Sequence, residues 1–233
     1  MKRLRNLLGA LAFGLRSGQA RVVVGELRRR LWSDWTHYGL SRDLAEPFTA
    51  PDAKIPLEIR TLRESDVPKL LGLNPDYVSA RGPYVRMHRL NFVGEGIGTC
   101  YVAATVGDEP CYMQWLMHAG ENDGIGRYFK GIFPVLDPDQ ALLEYAFTRE
   151  DYQGQGIMPA AMARIAEKAE NHGARRVITF VDHLNVPALK GCQRAGFRPY
   201  LIRVDRWRLF RRRVTFQPLP PGTPYPYETT ARS

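Results

Sequence analysis

The chain has 233 residues, of which 44% are hydrophobic and 24% are charged, and this composition excludes a wholly disordered protein. Its three cysteines form an odd, scattered set without a CxxC pair, so the sequence encodes neither a disulfide framework nor a zinc site and favours a reducing cytoplasm. The formal net charge of +9 favours anionic partners, namely nucleic acid, acidic lipid or phosphorylated small molecules.

The first segment combines basic residues with an amphipathic pattern. Apolar residues at helical spacing over residues 2–16 predict a helix with one apolar face. The run is too short to span a bilayer and has no convincing cleavage site, so we predict neither a transmembrane helix nor translocation. Such a helix can lie on an anionic membrane, as a peripheral contact at its inner face through residues 1–16. It can equally dock on its own domain or on a second copy of the chain, as in a homodimer.

Two further segments complete the predicted N-terminal extension. Residues 21–33 predict a second helix, and residues 41–56, with repeated prolines and few apolar side chains, predict a linker. We therefore place a basic helical extension and linker over residues 1–50 and a folded domain over residues 51–216. The proline-rich tail over residues 217–233 is expected to be disordered or extended.

The folded domain is predicted to open with a strand and a helix. Leu57 and Ile59 alternate with polar residues, as in a half-buried strand, and Ser65 is placed to cap the following helix. Residues 99–106 and 111–118 are β-rich runs joined by a Gly-Asp-Glu-Pro turn, which predicts a β-hairpin. A loop with a short helix is expected after this hairpin.

A strand, a helix and a second strand follow. Residues 141–148 predict a strand, and the residues after Gly156 predict an amphipathic helix that ends at Gly173. Residues 176–181 form the apolar run that is typical of a strand buried on both faces. This order predicts a right-handed, parallel βαβ unit, followed by a short helix and a β-rich segment.

The corner between that strand and its helix is punctuated by glycines and reads YQGQGI over residues 152–157. A glycine turn that delivers the chain into a helix N-terminus leaves backbone N–H groups directed at one spot, which suits a pyrophosphate. The turn matches neither the P-loop, which needs GK[ST], nor the Rossmann GxGxxG. Glycines at such a corner also occur for steric reasons alone, and from this motif by itself both explanations stay open.

A second motif, with NVPA at residues 185–188 and RAGF at residues 194–197, follows the second strand of the unit. The two motifs and the order of elements together resemble the acetyl-CoA-binding core of the GNAT superfamily of N-acetyltransferases over about residues 57–210. The resemblance implies an α/β (α+β) GNAT fold, with a central mixed, mostly antiparallel sheet, flanking helices and here an N-terminal helical extension.

The resemblance also implies acetyl-CoA as the acyl donor. Family members hold the CoA pyrophosphate on the turn amides, pair the pantetheine arm with the end of the preceding strand, and place an asparagine beside the cofactor. The implied cofactor-binding residues are Phe147, Thr148, Gln153, Gly154, Gln155, Gly156, Ile157, Met158 and Asn185. Met158 stands where the family usually has Gly or Ala, so we expect crowding of the phosphates or a shifted helix. Asn185 is also an ordinary helix N-cap.

The implied reaction is direct transfer of an acyl group to an amine, which needs a base for the ammonium and an acid for the departing thiolate. Glu144, on the strand that lines the cleft, is the first candidate base, and its alternative is a surface carboxylate. Cys192 stands where the family often has a tyrosine acid, and its alternative is a small buried hydrophobe. His118 and His183 are weaker candidates, with Asp182 beside the latter. Strand alternation further predicts which residues share a face: Glu144 with Ala146 and Thr148, opposite Leu143, Tyr145 and Phe147.

The rival function is a non-catalytic GNAT-fold module that binds acyl-CoA and acts on a membrane or nucleic acid through its basic ends. The segment VDRWRLFRRRV over residues 204–214 interleaves arginines with aromatics, as in proteins that track a nucleic-acid backbone. It has a simpler explanation as the outward rows of a final hairpin, and no recognition helix accompanies it, so we do not favour nucleic acid as a partner. We predict an N-acyltransferase without a metal, acting on an amine that the sequence does not identify.

Overall fold

The computed structural model describes residues 20–72 and 82–230 of the chain. The chain divides into two compact units, and the described residues of the larger unit are 37–72, 82–202 and 218–230, whereas those of the smaller unit are 20–36 and 203–217. The predicted helix over residues 2–16 lies outside the described residues. The domain boundaries proposed from the sequence stay a prediction.

The larger unit is built on a mixed sheet. Its strands are β1 (Trp32–Asp43), β2 (Leu57–Thr61), β3 (Thr99–Thr105), β4 (Pro110–His118), β5 (Gln140–Thr148), β6 (Arg176–Asp182) and β7 (Arg198–Arg208), of which β1 and β7 each continue into the smaller unit. Their order in the sheet is β2-β3-β4-β5-β6-β1-β7. The β5–β6 pair is parallel, whereas the β2–β3, β3–β4, β4–β5 and β1–β6 pairs are antiparallel. This arrangement confirms the predicted fold class, the hairpin and the βαβ unit.

The smaller unit contains α1 (Ala20–Leu31), the first part of β1, the last part of β7 and all but the last residue of β8 (Arg211–Pro218). Helix α1 confirms the second helix predicted from the sequence. Strands β7 and β8 are joined by Leu209 and Phe210, and both residues have positive φ angles, of 47° and 63°. The last two strands therefore form the hairpin that the arginine-rich segment indicated.

The remaining helices belong to the larger unit. They are α2 (Asp66–Leu71), α3 (Gly82–Val93), α4 (Asn122–Phe129), α5 (Ile157–Glu167), α6 (Val186–Arg194) and α7 (Pro226–Thr230). The helix predicted after Gly156 is α5, which continues as a 3-10 helix to His172 and ends at Gly173 in the left-handed conformation. Within the described residues, no helix is both long and apolar enough to cross a bilayer.

Two apolar clusters form the core of the larger unit. In one, Ile157 and Met162 of α5 pack with Leu189 of α6, and in the other Phe92 of α3 packs edge-on against Trp115 of β4. All five side chains are buried. Each such burial stabilises the fold by roughly 1.5–3 kcal/mol, so these contacts fix the positions of α3, α5 and α6 that the site needs.

Strand β1 was not predicted, and part of it falls in residues 41–56, which the sequence indicated as a linker. Residues 37–43 instead pair with β6. The alternation is obscured because Arg42 occupies an inward position, where it is 5% exposed. Its Nη1 donates to the carbonyl oxygen of Ala163 at 3.0 Å and its Nη2 to the Glu167 carboxylate at 3.1 Å. A buried, paired arginine therefore lies at a position where an alternating strand normally has an apolar side chain.

The predicted disorder of the tail is wrong for its described part. Tyr225 is buried and its hydroxyl donates to the carbonyl oxygen of Phe197 at 2.5 Å. Helix α7 follows directly, and the Gln193 amide donates to the carboxylate of Glu228 within it. One buried tyrosine with a satisfied hydroxyl is enough to anchor a segment whose proline content alone indicates disorder.

Candidate functional site

Strands β5 and β6 pair only over their first three residues. The ladder joins Gln140–Leu142 to Arg176–Ile178 and ends there. On its other side, β5 stays paired with β4 as far as Thr148. A cavity of about 200 Å³ lies at the parted ends, lined by residues of β5, β6, α5 and α6. This opening leaves room beside β5 for an extended ligand, in the manner of an added strand.

A β-bulge lies in β5 where the strands part. Tyr145 has a φ of +59°, and the register with β4 shifts between Met113 and Trp115. Gln114 of β4 therefore stands opposite two residues of β5, Tyr145 and Ala146, which is the geometry of a bulge. A non-glycine residue in the left-handed region is uncommon and marks a position that its surroundings hold in place.

The bulge changes which side chains share a face. Tyr145 and Phe147 pack with the cluster around Phe92, whereas Leu143 packs with the cluster of α5 and α6. The predicted sharing of one face by Leu143, Tyr145 and Phe147 is therefore wrong. One extra residue shifts the alternation by one position, and the sequence carries no signal of it.

Arg89 of α3 holds the bulge from one side. Its Nε donates to the carbonyl oxygen of Tyr145 at 3.0 Å and its Nη2 to that of Ala146 at 2.7 Å. The guanidinium lies 5.3 Å from the ring centroid of Phe147 and lines the cavity. Burial lowers the pKa of Arg89 to about 10, which leaves it charged at neutral pH. Arg89 was not predicted as a site residue, and the signal in the sequence was the pair of arginines, Arg86 and Arg89, within one helical turn.

Glu144 crosses the opening. Its Oε1 accepts a hydrogen bond from the backbone amide of Phe180 in β6 at 3.0 Å. The side chain is half-buried and lines the cavity together with Asp182 and Cys192. The structure thus places Glu144, the predicted base, in the wall of the cleft, and its role in catalysis stays a prediction.

The glycine turn leads from the open end of β5 into α5. Gly154 and Gly156 have φ angles of +75° and +74°, and Gly156 is the N-cap of α5 without a side-chain cap. In the described part of the chain, the amides of residues 154–158 have no hydrogen-bond acceptor. Amides in this arrangement at a helix N-terminus bind phosphate oxygens. The turn is fixed from behind, because the amide of Lys54 donates to the carbonyl oxygen of Gln155 at 2.8 Å.

A cation that the sequence analysis did not propose lies beside this turn. The Nη2 of Arg194, at the end of α6, lies 3.7 Å from the position that a Cβ on Gly156 would occupy. Arg194 is exposed, so its guanidinium is available to an anion. Main-chain amides, a helix N-terminus and an arginine therefore meet at one place, which fits the diphosphate of CoA.

Comparison with known proteins agrees with this geometry. A sequence model of the Acetyltransferase (GNAT) domain matches residues 57–198, from β2 to the start of β7. The chain belongs to the GNAT acetyltransferase family. A comparison with curated proteins gives no match.

Solved structures share the GNAT fold. A GNAT-family acetyltransferase from Colwellia psychrerythraea has a TM-score of 0.50 at 12% identity, with 80% of this chain and 57% of that chain covered. A GCN5-related glucosamine N-acetyltransferase region of a fungal multi-domain GH3 beta-N-acetylglucosaminidase also has a TM-score of 0.50, at 14% identity, with 79% of this chain and 22% of that chain covered. This chain thus spans little more than half of the first structure and less than a quarter of the second.

Cys192 lies inside the GNAT core, in α6. The residue is 1% exposed, and its Sγ lies 3.8 Å from the Sδ of Met162. Burial raises the pKa of the Cys192 thiol well above its usual range, so it stays protonated at neutral pH and donates its proton less readily. These contacts fit the second explanation given for Cys192, a small buried hydrophobic residue. The thiol also lines the cavity.

Met158 and Asn185 also line the cavity of the GNAT domain. Met158 packs against α6, where its Sδ would lie only 2.2 Å from a Cβ on Gly191. The side chain is therefore directed at a glycine of α6. Asn185 is the N-cap of α6, and its Oδ1 accepts from the amide of Ala188 at 3.3 Å. It caps a helix and borders the cleft at the same time.

The two candidate histidines are placed differently. His118 pairs with Ala141 at the closed end of the β5–β6 opening, where it caps a 3-10 turn and stacks on His172 at 4.9 Å. His183 follows β6, with its Nδ1 3.4 Å from Asp182, which lines the cavity. Over the described ranges, no group of three or more His, Cys, Asp or Glu residues is placed to hold a metal ion.

Proposed function

We propose that this GNAT-family chain is an acetyl-CoA-dependent N-acetyltransferase that moves an acyl group to an amine by direct attack. One observation carries the proposal. The turn amides of residues 154–158 and the parted ends of β5 and β6 lie at the same end of β5, joined by the short connection from Thr148 to Gln153. A diphosphate site and a slot for an extended arm at one location fit the two ends of CoA.

The donor would be held by backbone groups. The amides of the glycine turn and Arg194 would bind the diphosphate, and the pantetheine arm would extend beside Phe147 and Thr148 toward the bulge. A backbone N–H near residues 147 and 148 would stabilise the negative charge that develops on the thioester oxygen. Holding the donor and the acceptor in one cleft orients them for attack and lowers the activation barrier of the transfer, independently of any proton transfer by a side chain.

Glu144 is the proposed base for the amine acceptor. Its carboxylate would take a proton from the ammonium group, directly or through a water, so that the free amine attacks the thioester carbonyl carbon. A C–N bond forms, the C–S bond breaks, and CoA leaves as a thiolate that takes up a proton. Cys192 lies in the same cavity, but because its buried thiol is a weak acid, the thiolate would take its proton mainly from water.

The proposal is tested by CoA binding and by release of the CoA thiol with a panel of amines, which includes glucosamine, polyamines and peptides. The variant Gly156→Arg places a side chain beside Arg194 and the backbone of residues 52–53, next to the turn amides, and Gly131→Arg is the control with a similar φ. Gly131 also has a positive φ, of +72°, and is exposed with open space around it. We expect Gly156→Arg to weaken CoA binding by about a hundredfold, equivalent to about 2.8 kcal/mol, with Gly131→Arg unaffected.

Two results would contradict the proposal in different ways. Thiol release that is unchanged by Gly156→Arg would remove the diphosphate site from the turn. CoA binding without thiol release from any amine would favour the non-catalytic module instead.

A further inference from the structure

The smaller unit exposes a cluster of apolar side chains at the β7–β8 turn. Leu209 and Phe210 are 71% and 50% exposed. Their amides donate to the carbonyl oxygens of Leu31 at 2.8 Å and Arg30 at 2.9 Å, so the turn lies beside the end of α1. Leu31 and Trp32 at that end are also exposed, Trp32 by 68%. We call Leu31, Trp32, Leu209 and Phe210 the apolar tip.

The residues of this turn are unusual for a hairpin. A two-residue turn with positive φ at both positions is normally made by Asn-Gly or a similar pair, because a bulky side chain in the left-handed region costs about 1–2 kcal/mol. Here leucine and phenylalanine occupy both positions, at φ angles of 47° and 63°. Neither side chain is buried, so packing against the described part of the chain does not explain them. Strained residues of this kind cluster at functional sites, which makes the turn a candidate binding surface.

The surroundings of the apolar tip are strongly basic. Residues 20–36 and 203–217 contain ten arginines and three acidic residues. Asp34 is engaged by Arg208 at 2.8 Å and by Arg206 at 3.5 Å, and Asp205 is buried. The arginines at positions 28, 206, 211 and 213 are exposed. The surface around the tip therefore presents positive charge.

The tryptophan of the tip is held in place by one of these arginines. The Cζ of Arg208 lies 4.0 Å from the ring centroid of Trp32, and the same guanidinium bonds Asp34. A tryptophan fixed at the border between apolar and cationic surface has the character of residues found at the membrane–water interface. Val24, two helical turns before Leu31 in α1, is 60% exposed and extends the apolar surface along the helix.

We propose that the apolar tip docks on an anionic lipid bilayer, with its apolar side chains in the interface and the surrounding arginines on the headgroups. A lipid surface fits better than nucleic acid, because the aliphatic side chains Leu31 and Leu209 cannot stack on bases as aromatic rings do. It fits better than a second copy of the chain, because the tip has four side chains and a stable protein interface needs about 20–30 residues a side. The apolar tip contains no residue of the cleft, so lipid docking is independent of the proposed catalysis.

The test is co-sedimentation of the full chain with vesicles of phosphatidylcholine alone or mixed with phosphatidylglycerol. The double variant Leu209→Asn with Phe210→Gly removes the apolar turn and supplies residues that hairpins prefer, so the fold is kept, as a melting curve would verify. Val106→Asn is the matched control, since Val106 is an 80% exposed valine beside the β3–β4 turn.

We expect the unaltered chain and Val106→Asn to bind the acidic vesicles, the double variant to bind about tenfold more weakly, and high salt to release all three. Equal binding by the double variant, or no binding to acidic vesicles, would overturn the proposal. Tighter binding of the chain to a single-stranded oligonucleotide than to the acidic vesicles would also overturn it. A dimer in sedimentation velocity that the double variant dissociates would assign the tip to a second copy instead.

Discussion

The two ends of the β5–β6 pair differ in how their backbone groups are satisfied. At the closed end, residues 140–142 and 176–178 form a regular parallel ladder, in which Ala141, Leu142, Val177 and Ile178 are buried. At the open end, side chains take the place of ladder bonds. The Glu144 carboxylate accepts from the amide of Phe180, and the guanidinium of Arg89 donates to the carbonyl oxygens of Tyr145 and Ala146.

This difference teaches how a sheet can hold a cleft open. A buried backbone group that loses its strand partner must find another, or the opening costs several kcal/mol. Two charged side chains meet this need here, and both also line the cavity. The side chains that satisfy the backbone at the open end therefore also contact the cavity. Substitutions there are expected to show whether each side chain contributes to the stability of the cleft, to the transfer rate, or to both.

The largest expected effect is on the rate of transfer. Glu144→Gln keeps an oxygen that can accept from the Phe180 amide but removes the base, so we expect the rate of thiol release to fall about a thousandfold, or about 4 kcal/mol in barrier. The free energy of unfolding should change by less than about 1 kcal/mol. Steady-state rates over pH test this, with the exposed Glu58→Gln as control. An unchanged rate would show that Glu144 supports the cleft but does not act as the base.

The next effect is on stability. Arg89→Met removes both donors to the bulge and leaves two carbonyl oxygens without them, so we expect the free energy of unfolding to fall by about 3 kcal/mol. Denaturant titration measures it. A loss below about 1 kcal/mol would show that the bulge does not depend on the guanidinium.

A smaller effect is expected where α5 approaches α6. Gly→Ala within a helix usually stabilises by about 1 kcal/mol, but a Cβ on Gly191 would meet Met158, so Gly191→Ala should destabilise by about 2 kcal/mol. Met158→Ala in the same chain should remove most of that penalty, and a double-mutant cycle measures the coupling. Additive changes in the free energy of unfolding would mean that the Met158 side chain does not pack against Gly191.

The smallest effect is expected at Cys192. Because the thiol is buried and weakly acidic, Cys192→Ala should lower the free energy of unfolding by about 1 kcal/mol and the transfer rate by less than about threefold. Thermal melts and initial rates give the two numbers. A rate loss of about a hundredfold without loss of stability would identify Cys192 as the proton donor.

Much of the fold follows from local pattern. The hairpin, the βαβ unit and the glycine turn were predicted because each has a short-range signal, such as the turn residues between β3 and β4 or the apolar run of β6. Strand β1 was not predicted, since Arg42 interrupts its alternation with a charge that only tertiary contacts satisfy.

The site was predicted less completely than the fold. The residues of the turn and Glu144 were proposed from the family resemblance, and the structure places Glu144 beside the cavity. The bulge at Tyr145 and its partner Arg89 were not proposed. A bulge is one extra residue without a sequence signature, and Arg89 comes from a helix 56 residues earlier, whose approach depends on long-range packing.

The most direct test of the cleft is amide hydrogen exchange measured with and without CoA. We expect CoA to slow exchange at residues 154–158 and at residues 144–148 and to leave Leu142, at the closed end, unchanged. Protection confined to other parts of the chain, or none at a concentration where CoA binds, would contradict the assignment of the donor to the space between β5 and β6.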